Sequence, residues 1–257
     1  MKEIESLQEW TGVIGGAGEI GMCGLGLQTT GQDPLASKIR LACVALPDRG
    51  VCAADLFRLG SDALDELAVL MEDDRVMKVM HEAKVGLAFL QAKLGRRLKF
   101  KNVFDIMLAS QVCWSGFYDL VPSSSKKNPW KKRPVDHSLE ALAERHLGVR
   151  LDRSQEALEW SEKPVSRKLI RSAARRAQTL LPLQACFQEL IRRNHLERVA
   201  DIELRAIAPV VEMELSGIYL DEGAARKLAA EKEAALVRAV MDLQASARDW
   251  LSSIALS

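Results

Sequence analysis

Residues Met22 to Pro34, MCGLGLQTTGQDP, constrain the chain more than any other stretch. Apolar residues and glycine run from Met22 to Leu27. The run then closes in the polar turn Thr29-Thr30-Gly31-Gln32-Asp33-Pro34, the pattern of a buried strand ending at a sheet edge. Lys38–Leu46 and Gly50–Ala54 read as two further strands, and the turn Pro47-Asp48-Arg49-Gly50 makes them an antiparallel hairpin. Ser61–Met71 carries a serine, early acids and apolar residues at i, i+3 and i+4, which predicts a helix. Val76–Met80 is a short strand, and helical patterns follow. The fold class is therefore α/β, a mixed sheet flanked by helices.

Before the first strand, Ile4, Leu7 and Trp10 stand at helical spacing and predict a short helix over residues 2–10. The stretch Gly12–Gly21 contains a formal G-x-G-x-x-G at Gly16, Gly18 and Gly21. A dinucleotide site needs those glycines after a strand and opening a helix. Here a Gly-broken strand follows instead, so the stretch is expected to be a flexible link and no phosphate loop. The 36 basic residues balance 35 acidic ones to a net charge of +1, so nucleic-acid binding has to come from local clusters. The five cysteines have no C-x-x-C pair, as in a reduced cytoplasmic protein. No apolar run approaches a membrane span, and MKEIESLQEW is too acidic for a signal peptide.

The run GLGLQTTGQDP resembles the first motif of the DnaQ-like 3′–5′ exonuclease domain of bacterial family A DNA polymerases, with Thr29-Thr30-Gly31 and Asp33-Pro34 in register. Lys78–Leu90 resembles the second motif through His81, Ala83, Lys84, Leu87, Phe89 and Leu90. Asn102–Ser110 resembles the segment after it, including Asp105. His137–Val149 is similar to the next family helix, and Ser154, Trp160 and Ser161 keep a weakened form of the region beyond. Arg167–Leu183 resembles the third motif through Ala173, Ala174, Ala177, Leu180, Leu181 and Leu183. The resemblance implies an RNase H-like fold with a five- to six-stranded sheet over residues 1–193. Residues 194–257 resemble the entry to a polymerase thumb, a helical extension.

The family reaction is hydrolysis of a terminal phosphodiester by two Mg²⁺ or Mn²⁺ ions held by carboxylates. In this chain the family's acidic positions are Gly26, Gln28, Gly86 and Arg176, and its water-orienting tyrosine is Ser172. The resemblance therefore implies no catalytic residue, no metal ligand and no cofactor: a non-enzyme that binds single strands or 3′ ends, or acts as a scaffold, in DNA replication or repair. Arg176 offers a guanidinium fork suited to phosphate, or pairs with Glu82 or Asp105 to close the pocket. Two basic clusters are candidate nucleic-acid contacts. Lys126, Lys127, Lys131, Lys132 and Arg133 surround Trp130 in what reads as an exposed loop, Val121–Pro134, while Lys168, Arg171, Arg175 and Arg176 share one helix. Two alternatives stand beside this. One is a protein-interaction module that binds a partner or a second copy through the terminal helices and the seam Leu228, Ala235, Val240, Leu243. The other is a residual nuclease using Glu82 and Asp105.

Overall fold

The computed structural model describes residues 1–124, 129–152, 160 and 164–255. Its centre is a six-stranded sheet built from β1 (Lys2–Ile4), β2 (Met22–Thr29), β3 (Ile39–Leu46), β4 (Gly50–Asp55), β5 (Met77–Met80) and β6 (Val103–Asp105), in the spatial order β1-β4-β3-β2-β5-β6. β2, β3 and β4 pair antiparallel, whereas β5 joins β2, β6 joins β5 and β1 joins β4 in parallel. This is the mixed RNase H-like sheet that the strand order predicts.

All eight residues of β3 are buried, because helices cover both faces of the sheet. Side chains alternate across a strand, so Leu41, Cys43 and Ala45 enter one core and Ala42, Val44 and Leu46 the other. The core around Ala42 is closed by α1 (Leu7–Ile20), α3 (Asp62–Glu72) and α4 (Ala83–Leu94), with α2 (Leu56–Leu59) at its edge. The core around Leu41 is closed by α5 (Ile106–Cys113), α6 (Leu139–Leu147) and α7 (Arg167–Arg193). Burial pushes the Cys23 and Cys43 thiols up to about 12, which leaves both inert as nucleophiles.

The N-terminus corrects two expectations. Residues 2–4 are an edge strand and not helix, and the supposed flexible link lies inside α1. Ser6 caps α1 by accepting from the Glu9 amide, and Trp10, Ile14 and Ala17 form its buried stripe. The Trp10 indole donates to the Ala63 carbonyl at 3.0 Å. Gly16 lets α1 come close to the sheet: a Cβ there would sit 3.2 Å from the Arg49 guanidinium and 3.6 Å from Leu46. Gly21 ends the helix at φ 80°, a left-handed cap. The three motif glycines thus belong to a helix and its cap, and no phosphate loop forms.

The expected loop at 121–134 is also corrected. β7 (Tyr118–Pro122) and β8 (Trp130–Pro134) pair antiparallel as a separate two-stranded sheet. Lys126, Lys127, Ser154 and Ser161 lie outside the described residues.

Two compact units divide the chain, Met1–Leu215 and Ser216–Ser257. Within the first, α8 (Glu197–Ser216) sends Ile207 and Val211 into the core, and Arg97 holds Glu212 at 2.6 Å. The boundary at 193/194 therefore falls between α7 and a helix packed with the larger unit. The second unit is α9 (Glu222–Ala255), capped by Asp221 and braced by an Arg226–Glu222 pair at 2.8 Å, with Leu228, Ala235, Val240 and Leu243 exposed. No helix among the described residues is long and apolar enough to cross a membrane.

Candidate functional site

The cleft depends on how closely α7 lies on β2. A Cβ at Gly24 would meet the Ala177 carbonyl at 2.9 Å and the Leu180 Cβ at 3.2 Å, so only glycine on the strand and small residues on the helix permit this approach. Ala173, Ala174 and Ala177 form the buried stripe of that helix, which sets Ser172 and Arg176 at the mouth of the groove. Beside them, β2 and β3 slip register between Gln28 and Thr29, a bulge that turns the strand end outward. The turn after it is fixed by Thr30, whose hydroxyl accepts from the Lys38 amide at 2.9 Å, and by Thr29, which donates to the Gly31 carbonyl at 2.7 Å.

All five positions singled out from the sequence, Gly26, Gln28, Gly86, Ser172 and Arg176, line one cavity of about 400 Å³. Gln32, Thr29, Thr30, His81, Glu82 and Trp160 share its wall. Gly26 and Gln28 point the same way from β2, toward α7, as period-two alternation requires. A Cβ at Gly26 would rest 3.5 Å from the Ala177 Cβ, an ordinary contact. At Gly86 the space has been refilled, since a Cβ there would press on Leu27 and Met80 at 3.1 Å.

Arg176 forms an ion pair with Glu140 of α6, not with Glu82 or Asp105. Both side chains are largely buried, 19% and 8% exposed, so the pair is shielded from solvent screening. Sequence reasoning missed Glu140. Its signal was an acid at the second position of a helix opposite an arginine, which spacing alone does not connect.

Asp105 is corrected as well. It lies beneath the cleft wall and serves as a double helix cap, accepting from the Ala83 amide at 2.7 Å and from Met107 and Leu108 at 2.8 and 3.3 Å. Burial pushes its carboxyl above the usual range, while those amides and His81 pull the other way. Close by, the His81 ring meets the His137 carbonyl at 2.9 Å, and the His137 ring meets the Ser110 hydroxyl at 2.8 Å. Burial and Arg145 hold His137 below its ordinary value. Glu82 is exposed at the cleft wall in a left-handed conformation, φ 55°, just before α4.

The basic candidates are distributed in two ways. On α7, Lys168, Arg171 and Arg175 face solvent beside the cleft, and with Arg167 they form no ion pair with a described residue. At the other end of the same helix, Arg192 and Arg193 are both tied to Glu189, at 2.8 and 2.5 Å. In the hairpin, Trp130, Lys131, Lys132 and Arg133 are exposed, and Arg133 together with Arg145 leans on Asp119 at 3.8 and 3.3 Å.

A groove at the end of the central strands, walled by one helix on each side, is the site of a DnaQ-like exonuclease fold. Residues 22–192 match the model of the 3′–5′ exonuclease family, and the chain belongs to that family. Among solved structures, Escherichia coli RNase D, an exoribonuclease involved in structured RNA processing, has a TM-score of 0.65 at 15% identity, over 82% of this chain and 50% of that one. Brucella melitensis NrnC bound to pGG has a TM-score of 0.64 at 16% identity, over 84% and 91%. The POL domain of Pol1 from M. smegmatis, in complex with DNA primer-template and dNTP, has a TM-score of 0.66 at 20% identity, over 90% and 35%. These likenesses show the fold. No curated protein sequence is similar enough to match.

The comparisons overturn two expectations, that the chain is no enzyme and that it takes no cofactor. Its family is one of 3′–5′ exonucleases, and Brucella melitensis NrnC is also solved with bound Mg²⁺. The chain therefore stands in a family of nucleases, and a structural neighbour holds a divalent ion. The side chains at its own cleft do not fit that ion in the family's manner. Hard divalent cations take carboxylate oxygens. Here Gly26 and Gly86 offer none, Gln28 is neutral, and Arg176 brings a cation whose partner carboxylate is Glu140.

Proposed function

We propose that the chain binds the 3′ end of a single-stranded nucleic acid in this cleft, in the setting of DNA replication or repair. The observation that carries the reading is the convergence of the five divergent positions on one open cavity whose wall is rich in uncharged hydrogen-bonding groups, with Glu82 at its rim and Arg176 paired to Glu140. Gln28, Gln32, Thr30 and Ser172 suit the sugar and base edges of a terminal nucleotide, and Trp160 offers a ring at the wall. The stripe Lys168, Arg171 and Arg175, which forms no ion pair with a described residue, runs beside it and suits the phosphates that follow, a salt-sensitive contact. Arg176, joined to Glu140, braces the groove and is not a free phosphate clamp.

The test is fluorescence anisotropy of a single-stranded oligonucleotide, read alongside its degradation with Mg²⁺ and with Mn²⁺. Gly26→Leu fills the cavity from a position where a Cβ is accommodated. Loss of binding in that variant supports the reading, and unchanged binding overturns it. Mononucleotide release, and its response to Glu82→Gln, reads whether the exposed carboxylate at the cleft wall carries the family reaction.

A second reading concerns α9 alone. Leu228, Leu236, Val240, Met241 and Leu243 are all exposed on it, which suits a protein partner or self-association. Sedimentation with and without residues 217–257 tests that reading.

A further inference from the structure

The hairpin of β7 and β8 has two unlike faces, and the sequence alone did not separate them. Cross-strand partners are Tyr118 with Pro134, Leu120 with Lys132 and Pro122 with Trp130. Alternation puts these six side chains on one face and Asp119, Val121, Lys131 and Arg133 on the other. The second face has its acid engaged, since Asp119 meets Arg133 and Arg145. The first face carries no acid at all. On it, Tyr118, Leu120 and Trp130 are 56%, 65% and 53% exposed, and the Lys132 ammonium sits 5.5 Å from the Tyr118 ring centroid.

Two well-exposed rings on a two-stranded sheet are costly to leave in water, and the hairpin buries neither against a core. We propose that this face is a stacking platform for the unpaired bases of a single strand, with Tyr118 and Trp130 as the two stacking rings and Lys132 neutralising the phosphate between them. Every base has a π-face, so such a platform binds single strands with little regard to sequence. The rings stand four strand residues apart, roughly 14 Å, so they take two non-adjacent bases and Leu120 lies under the nucleotide between. The charge supports a nucleic-acid partner over an apolar protein: the platform face carries Lys132 and no acid, and Lys131 and Arg133 on the other face of β8 outnumber the one acid of β7, Asp119. The proposal rests on the nucleic-acid reading above and adds a second, sequence-tolerant contact outside the cleft.

The experiment compares a ten-nucleotide oligothymidylate with an abasic oligonucleotide of the same length, on the full chain and on Tyr118→Ala/Trp130→Ala. These positions are exposed, and circular dichroism checks that the variant stays folded. The full chain should bind the thymidylate more tightly than the abasic strand, by at least about fivefold per ring, and the variant should lose that preference. Equal affinity of the full chain for both strands, or a variant that keeps the preference, overturns the platform while leaving cleft binding intact. Failure of the full chain to bind either strand overturns both readings together. An apolar protein partner is the reading left if the variant abolishes association with protein and leaves oligonucleotide affinity unchanged, and that result also overturns the platform.

Discussion

The cleft and the hairpin carry their charges in opposite ways. In the cleft, Gly26, Gly86 and the amide Gln28 line the wall, and Arg176 is paired with the carboxylate of Glu140. In the hairpin, three basic residues and two exposed rings stand where little holds them to the core. A charge in a partly buried groove needs a partner, because desolvation penalises an isolated ion. A charge on an exposed ribbon needs none. Removing one partner of the buried charge pair in the cleft should therefore act mainly on stability, and charge changes in the hairpin mainly on binding.

The largest expected effect is Arg176→Ala, which leaves Glu140 buried without its cation. It should lower the unfolding free energy by about 3 kcal/mol or more in urea titrations, whereas Arg176→Leu with Glu140→Leu should recover most of the loss. An unchanged denaturation midpoint in the single variant would break the comparison at its strongest point. Next is Gly24→Val, which forces β2 away from the Ala177 carbonyl and should cost about 1–3 kcal/mol, read as a lower melting temperature.

Asp105→Asn follows, at roughly 1–2 kcal/mol, because an amide cannot accept from all three backbone donors that the carboxylate now satisfies. Its pH dependence has a definite sign. The Asp105 carboxyl is raised in the fold, so the folded state holds its proton more tightly than the unfolded chain. Its contribution is fully present below the ordinary carboxylate value of 3.8 and is lost as pH rises through the folded value. The variant should flatten that segment of the stability profile, and an unaltered slope would assign it to other groups. The smallest stability effect, within about 0.5 kcal/mol, belongs to Lys131→Glu/Lys132→Glu. The same change should make the salt dependence of single-strand binding shallower by about 1.4 in slope.

Much of this was legible before any coordinates. The sheet core, the hairpin between β3 and β4, and the helix after Ser61 follow from periodicity and turn chemistry, and the helix after Ser138 from the family resemblance. The five divergent positions were legible because Thr29-Thr30-Gly31, His81 and the Ala173–Leu183 pattern set the register. Of the first helix only the start at Leu7 and Trp10 was legible; its Gly-rich remainder was not, since glycine argues against helix locally and the close packing of Gly16 against Leu46 and Arg49 is a tertiary fact. The ribbon at 118–134 was hidden because Pro, Ser and Lys read as loop and its pairing is non-local. Glu140 and the double cap at Asp105 are tertiary facts with no sequence period. The family's standing as metal-using exonucleases corrected the inference that missing ligands mean no enzyme.

The most direct test of the strand-end reading is to compare a linear single strand with a covalently closed circle of the same sequence. The cleft account predicts tighter binding of the linear form by the full chain and no such preference in Gly26→Leu. Equal affinity for linear and circular strands in the full chain would contradict it.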